Sequence, residues 1–203
     1  MKTIISISGL FLLLSLVSCE NEIDRTIFIP DEEDINLPAY TEWGYNSFGA
    51  IYERQYFLAS ENYVPCKIVY KDGFLNFSLT GYVAGGVMYD YYQAGKMGMI
   101  ISFPFSKVID YKGLLALDQQ EIDLSTPNVH LSVTLGEGSG VAMEIISGEL
   151  YFKRAQLLRI DEQENRVILS GTFNIRFLRN GLPEIISDGR FDVGINKDFY
   201  SFE

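Results

Sequence analysis

Nucleophilic, acid–base and metal chemistry all need side chains that this chain supplies sparingly. It has one histidine, His130, and two cysteines, Cys19 and Cys66. His130 falls in an alternating stretch, with Val129, Leu131, Val133 and Leu135 on one face and His130, Ser132 and Thr134 on the other. It therefore reads as a solvent-facing strand residue, since a catalytic base or metal ligand would need partners that the nearby sequence does not supply. Cys66 shares a strand face with Ile68 and Tyr70 while Lys67 points the other way, the pattern of an inert buried thiol. No His/Cys zinc site can be assembled from these residues, and no cofactor or metal is expected. Gly136-Glu137-Gly138-Ser139-Gly140 lacks the lysine and helix that a phosphate loop requires and reads as a hairpin turn. Asp161-Glu162-Gln163-Glu164-Asn165 departs from the calcium-loop pattern and reads as a polar hairpin loop. The 20 carboxylates between residues 35 and 203 leave a glycosidase-like acid pair open, but no spacing singles one out. Asp188 and Asp192 flank Arg190, and on a strand Arg190 and Asp192 share a face, which suits cross-strand ion pairing.

Binding chemistry is better represented. Tyr89-Asp90-Tyr91-Tyr92-Gln93 lies between Gly85-Gly86 and Gly95, and alternation sends Tyr89 and Tyr91 to one face and Tyr92 to the other. Whichever face is buried, at least one phenol points outward, and rings beside carboxylates and amides suit stacking on a sugar or docking of a partner chain. Trp43 and Tyr45 form a second candidate platform. The competing reading, that these rings fill an aromatic-rich core, stays open.

The net charge of −11 disfavours contact with phosphate backbones, so no nucleic-acid partner is expected. Lys2 followed by the apolar run Ile4 to Val17 is too short for the roughly 20 residues of a membrane-spanning helix and reads as an export signal over residues 1–18. The run ends in Leu16-Val17-Ser18-Cys19, which resembles the bacterial lipoprotein box; the resemblance implies that Cys19 becomes the acylated first residue of the mature chain and its lipid anchor. Acyl chains, at about 0.8 kcal/mol per buried CH2, then make the membrane a partner. Residues 19–38 carry Glu20, Glu22, Asp24 and Asp31-Glu32-Glu33-Asp34 against Arg25 alone, so an extended acidic tether is expected before a single β domain at 39–203.

Those residues must be positioned by strands. Period-two alternation is clearest from Arg166 to Leu178, where Val167, Leu169, Phe173, Ile175 and Phe177 share one face. Further strands are expected near 48–52, 56–59, 66–70, 74–82, 87–91, 99–105, 129–135, 149–160 and 191–195, with turns at Lys71-Asp72-Gly73, Asn180-Gly181 and Ser187-Asp188-Gly189. Asp110 to Glu121 is the one plausible helical stretch. The expected fold class is all-β: an antiparallel β-sandwich or barrel-like domain of about nine or ten strands with at most one short helix.

Trp43-Gly44 with Asn46-Ser47-Phe48-Gly49-Ala50, and Ser170-Gly171-Thr172-Phe173 with Asp188-Gly189-Arg190-Phe191-Asp192, resemble the paired signatures of uncharacterised Bacteroidetes outer-membrane lipoproteins. Glu53-Arg54 departs from the glycine usual after the first signature. The resemblance implies an outer-membrane location, at the cell surface or on the periplasmic face, and no particular activity. The expected function is a non-enzymatic, lipid-anchored binding domain for a glycan or an envelope protein. The alternatives are a carbohydrate-active hydrolase using a carboxylate pair and a structural subunit of a surface assembly.

Overall fold

The computed structural model describes residues 25–60, 64–84, 95–106, 110–160 and 163–202. Among the described residues there are eleven strands: β1 Ser47–Tyr52, β2 Gln55–Ala59, β3 Cys66–Lys71, β4 Phe74–Ala84, β5 Gly95–Pro104, β6 Gln120–Asp123, β7 His130–Leu135, β8 Val141–Ile160, β9 Gln163–Arg179, β10 Leu182–Ile195 and β11 Tyr200–Phe202. Eight of them close into an antiparallel barrel in the order β1-β2-β4-β5-β7-β8-β9-β10, and β10 returns to β1. The open choice between sandwich and barrel is therefore resolved as a barrel. Closure leaves the eight wall strands without a free sheet edge along most of their length.

The three other strands attach where a long strand changes neighbours. One edge of β4 pairs with β5 throughout, while its other edge pairs with β3 over Phe74 to Leu79 and with β2 over Gly81 to Ala84. Gly81 sits at that changeover because a Cβ there would lie 2.0 Å from the Leu58 carbonyl oxygen. β8 likewise holds β9 on one edge and, on the other, β7 near its start and β6 further along. β11 adds in parallel to the outer edge of β3.

Several boundaries differ from those expected. β8 starts at Val141 rather than near 149, and β10 starts at Leu182, so Ser187-Asp188 is a bulge inside a strand and not a turn. Asp188 takes the left-handed conformation there, and its N–H is received by the Asn174 side chain. β9 starts at Gln163, so Gln163, Glu164 and Asn165 of the expected five-residue hairpin loop belong to a strand, and Asp161 and Glu162 lie outside the described residues. The expected helix is a 3-10 turn, Tyr111–Leu117, capped by the Asp110 carboxylate and followed at once by β6. The strand expected near 87–91 lies outside the described residues.

Inward-facing positions follow the alternation read from the sequence. Phe48, Phe57, Phe77, Phe103, Phe152, Phe173, Phe177 and Phe191 are all fully buried, and leucine, isoleucine, valine and methionine fill the spaces between them. Eight-stranded barrels have an interior of the size that side chains can fill. Here the rings of Phe152 and Phe191 meet edge to face at 5.6 Å, and Gly171 pairs with both of them. A Cβ on Gly171 would lie 2.7 Å from the Phe191 ring and 2.0 Å from the Tyr151 carbonyl oxygen, so glycine makes room for the Phe191 ring.

The segment expected to run as an acidic tether up to Pro38 is, from Arg25 onward, folded against the barrel wall. Asp31 donates its N–H to the Leu37 carbonyl, Ala39 to Ile29 and Ile27 to Tyr45, which makes a hairpin-like strap. The Asp31 carboxylate receives the N–H groups of Glu33 and Asp34 and pairs with Arg190 on β10 at 2.6 Å. Leu37 is only 1% exposed, and Pro38 packs onto Gly49, where a Cβ would approach it to 2.3 Å. Local hydrogen bonds and a buried leucine thus offset the like-charge repulsion that favours an extended chain.

Candidate functional site

The registers define two rims. At the rim where the chain enters β1 lie Ser47, the end of β2 at Ala59, the end of β5 at Pro104, the β8–β9 hairpin and the end of β10 at Ile195. At the opposite rim lie the β1–β2 turn, the strand ends Ala84 and Gly95, the β7–β8 turn and the β9–β10 turn. Tyr89, Tyr91 and Tyr92 lie outside the described residues, but the strand ends that bracket them belong to this opposite rim.

Trp43 and Tyr45 sit at the entry rim, held by a clasp centred on Asp192. That carboxylate is 1% exposed and receives five donors: the Thr41 hydroxyl at 2.5 Å, the N–H groups of Trp43, Gly44 and Tyr45 at 3.1, 2.8 and 3.2 Å, and the Ser170 hydroxyl at 2.9 Å. Successive backbone N–H groups pointing at one carboxylate form a concave cradle for negative charge, and such charge-assisted bonds are the stronger kind. Gly44 supplies the positive φ that turns the chain round the carboxylate and lies against Ile168. Asn46 closes the same region: also in the left-handed conformation, it receives the Gly194 N–H at 3.0 Å. Gln156 of β8 donates to the Glu42 carbonyl at 2.6 Å.

The clasp's outcome is a tryptophan fixed at its backbone while its side chain, 71% exposed, projects from the rim. Tyr45 is half-buried and does not form a matching open platform. Beside it runs Ile27-Phe28-Ile29, tied to Tyr45 and Ala39 by backbone bonds and with all three residues exposed. Sequence reasoning misses this apolar run because it sits within a segment whose composition is that of a solvated linker. Isoleucines flanking a phenylalanine so close to Trp43 are the available signal.

The residues whose types suggest chemistry are dispersed. His130 is exposed on β7, its ring 5.8 Å from that of Phe74. Cys66 is buried on β3, and burial pushes its thiol well above the ordinary range, the opposite of activation. Arg190 and Asp192 share the outer face of β10 and both are held in structural contacts: Asp192 receives its cross-strand neighbour Ser170 on β9 together with the clasp donors, while the ion pair of Arg190 is made with Asp31 of the strap and not with a neighbouring strand. Among the described residues no three metal-ligating side chains converge. At the opposite rim Tyr52 donates to Glu184 at 2.5 Å and receives Arg179 at 3.2 Å. Burial, then the Glu184 bond, pushes that phenol up to about 12, so it stays protonated and structural.

No family model, curated protein or solved structure matches this chain. Among the described residues no helix is long and apolar enough to cross a membrane. Cys19 lies outside the described residues, and the first described residue, Arg25, is at the entry rim, its carbonyl receiving the Asn46 side chain at 3.5 Å.

Proposed function

We propose that this chain is a lipid-anchored, non-enzymatic binding protein of the bacterial cell envelope, held to the outer membrane through Cys19 and recognising a glycan or an envelope protein with the rim opposite its anchor. The observation that carries the reading is the barrel interior: eight buried phenylalanines occupy the space in which a barrel of this size would otherwise hold a ligand, so recognition falls to the outside and the rims. The sequence of the 85–94 connection supplies aromatic rings beside Asp90 and Gln93, a composition suited to sugar stacking or to a protein hot spot. The anchor reading is supported by the residues around Cys19 and by the position of Arg25, six residues on in the chain, at the entry rim.

The test is binding of the mature protein to a broad glycan array and to envelope extracts, beside a Tyr89→Ala/Tyr91→Ala/Tyr92→Ala variant. A ligand retained by the native protein and lost by the variant supports the reading. Turnover of chromogenic glycosides by the purified protein would replace it with the hydrolase alternative.

A further inference from the structure

The apolar residues at the entry rim have an exposure that folding does not account for. Trp43 is 71% exposed, and Ile27, Phe28 and Ile29 are 46%, 42% and 40% exposed, all within one strap region joined by the Ile27-to-Tyr45 backbone bond. Isolated exposed apolar residues are ordinary, but three consecutive large ones in the strap that is bonded to Tyr45, two residues from a rigidly clasped tryptophan, indicate a surface that is covered in use. The chain itself limits what can cover it. Glu20 to Arg25 is six residues, which reach at most about 20 Å from Cys19 even when fully extended. A lipid on Cys19 would therefore keep this rim, and not the opposite one, within a short distance of the bilayer.

We propose that the entry rim is a membrane-docking face: Trp43 and Ile27-Phe28-Ile29 rest in the headgroup region of the bilayer that receives the acyl chains of Cys19, and so set the barrel upright with its opposite rim outward. The inference rests on the anchor reading above and deepens it. Tryptophan is suited to that depth, since its ring is apolar and its indole N–H needs a polar partner, which headgroups and interfacial water supply. The Asp192 clasp gives the docking residue a fixed backbone, so little conformational freedom is lost on contact. Repulsion between the negative protein and anionic lipid acts only over about 8 Å at physiological salt, and of the acids next to Trp43, Asp192 is held inside the clasp and Glu42 receives the Tyr40 hydroxyl.

Trp43 is the only tryptophan, so its fluorescence reports this rim alone. The full chain is produced in bacteria, and the mass of its N-terminal peptide reads acylation of Cys19; that measurement tests the anchor reading by itself. The protein is then reconstituted into phosphatidylcholine vesicles with and without brominated acyl chains. If Cys19 carries no lipid, it is instead coupled to a maleimide phospholipid in the same vesicles, Cys66 being buried, so the docking question is answered either way. Insertion to the usual interfacial depth should quench Trp43 about twofold by brominated lipid and reduce its accessibility to aqueous iodide by a similar factor. An Ile27→Ser/Phe28→Ser/Ile29→Ser variant, whose positions are exposed, should lose most of that effect while keeping its circular dichroism. Emission from tethered protein that ignores lipid bromine and stays open to iodide would overturn the proposal. So would protection found in native outer-membrane fragments but absent in pure lipid, which would assign the face to a protein partner.

Discussion

Replacing Asp192 tests the clasp directly. Its Oδ1 receives Gly44 N–H and the Ser170 hydroxyl, and its Oδ2 receives the Thr41 hydroxyl and the N–H groups of Trp43 and Tyr45. In Asp192→Asn one oxygen becomes an amide donor. The hydroxyls can rotate to accept from it, but a backbone N–H cannot. The better amide orientation leaves Gly44 N–H facing a donor, and the worse one leaves Trp43 and Tyr45 so placed. One under-satisfied N–H costs about 1–3 kcal/mol, and the remaining bonds also lose charge assistance. In Asp192→Ala all three N–H groups lose their acceptor and a buried cavity opens, for roughly 3–5 kcal/mol. Urea unfolding followed by circular dichroism and by Trp43 emission measures both quantities. The expected order is Ala more destabilised than Asn, with Trp43 emission changing at lower urea than the barrel signal because the strap loosens first. If both variants lie within about 0.5 kcal/mol of the native protein, or if Asn is the worse of the two, the clasp does not hold the strap as argued.

Three other expectations follow from packing and titration. Gly171→Ala places a methyl against the Phe191 ring and the Tyr151 carbonyl and should destabilise by about 1–3 kcal/mol or more, read as a lowered melting temperature, whereas Gly138→Ala, with open space around it, should be nearly neutral. Leu37→Ala should cost about 2–5 kcal/mol, showing that the strap belongs to the folded unit; an effect below about 0.5 kcal/mol would return the segment to the status of a tether. Tyr52 holds its proton more tightly in the folded state, to about 12, than in the unfolded chain. Its contribution to stability is thus fully present below about pH 10 and is lost as pH rises toward 12, and Tyr52→Phe should flatten the stability profile over that window.

The site is less legible in the sequence than the wall. Alternation is enough to place Asp192 on the same face as Arg190, and residue type alone marks Trp43 as a candidate contact, whereas Tyr45, marked on the same ground, is half-buried. What no local pattern can indicate is that Asp192 gathers the N–H groups of residues 43–45 from the other end of the chain. The strap departs from expectation for a related reason: a run of acids suggests extension, while the forces that fold it are supplied by distant partners, Arg190 on β10, Tyr56 on β2 and Gly49 on β1.

The sequence by itself determined the all-β class and the inward and outward faces of the strands where alternation is clearest, such as β7 and β9, because alternation along an extended backbone is a local property with a fixed period of two. Tertiary structure alone decided that these strands close into a barrel, since closure depends on β1 finding β10 across most of the chain and on the twist and stagger of every strand between them. It also decided that Ser187-Asp188 is a bulge and not a turn, and that a buried aspartate should fix an exposed tryptophan. Those outcomes depend on which distant groups arrive at the same place, and the side chains concerned carry no local periodicity that records it.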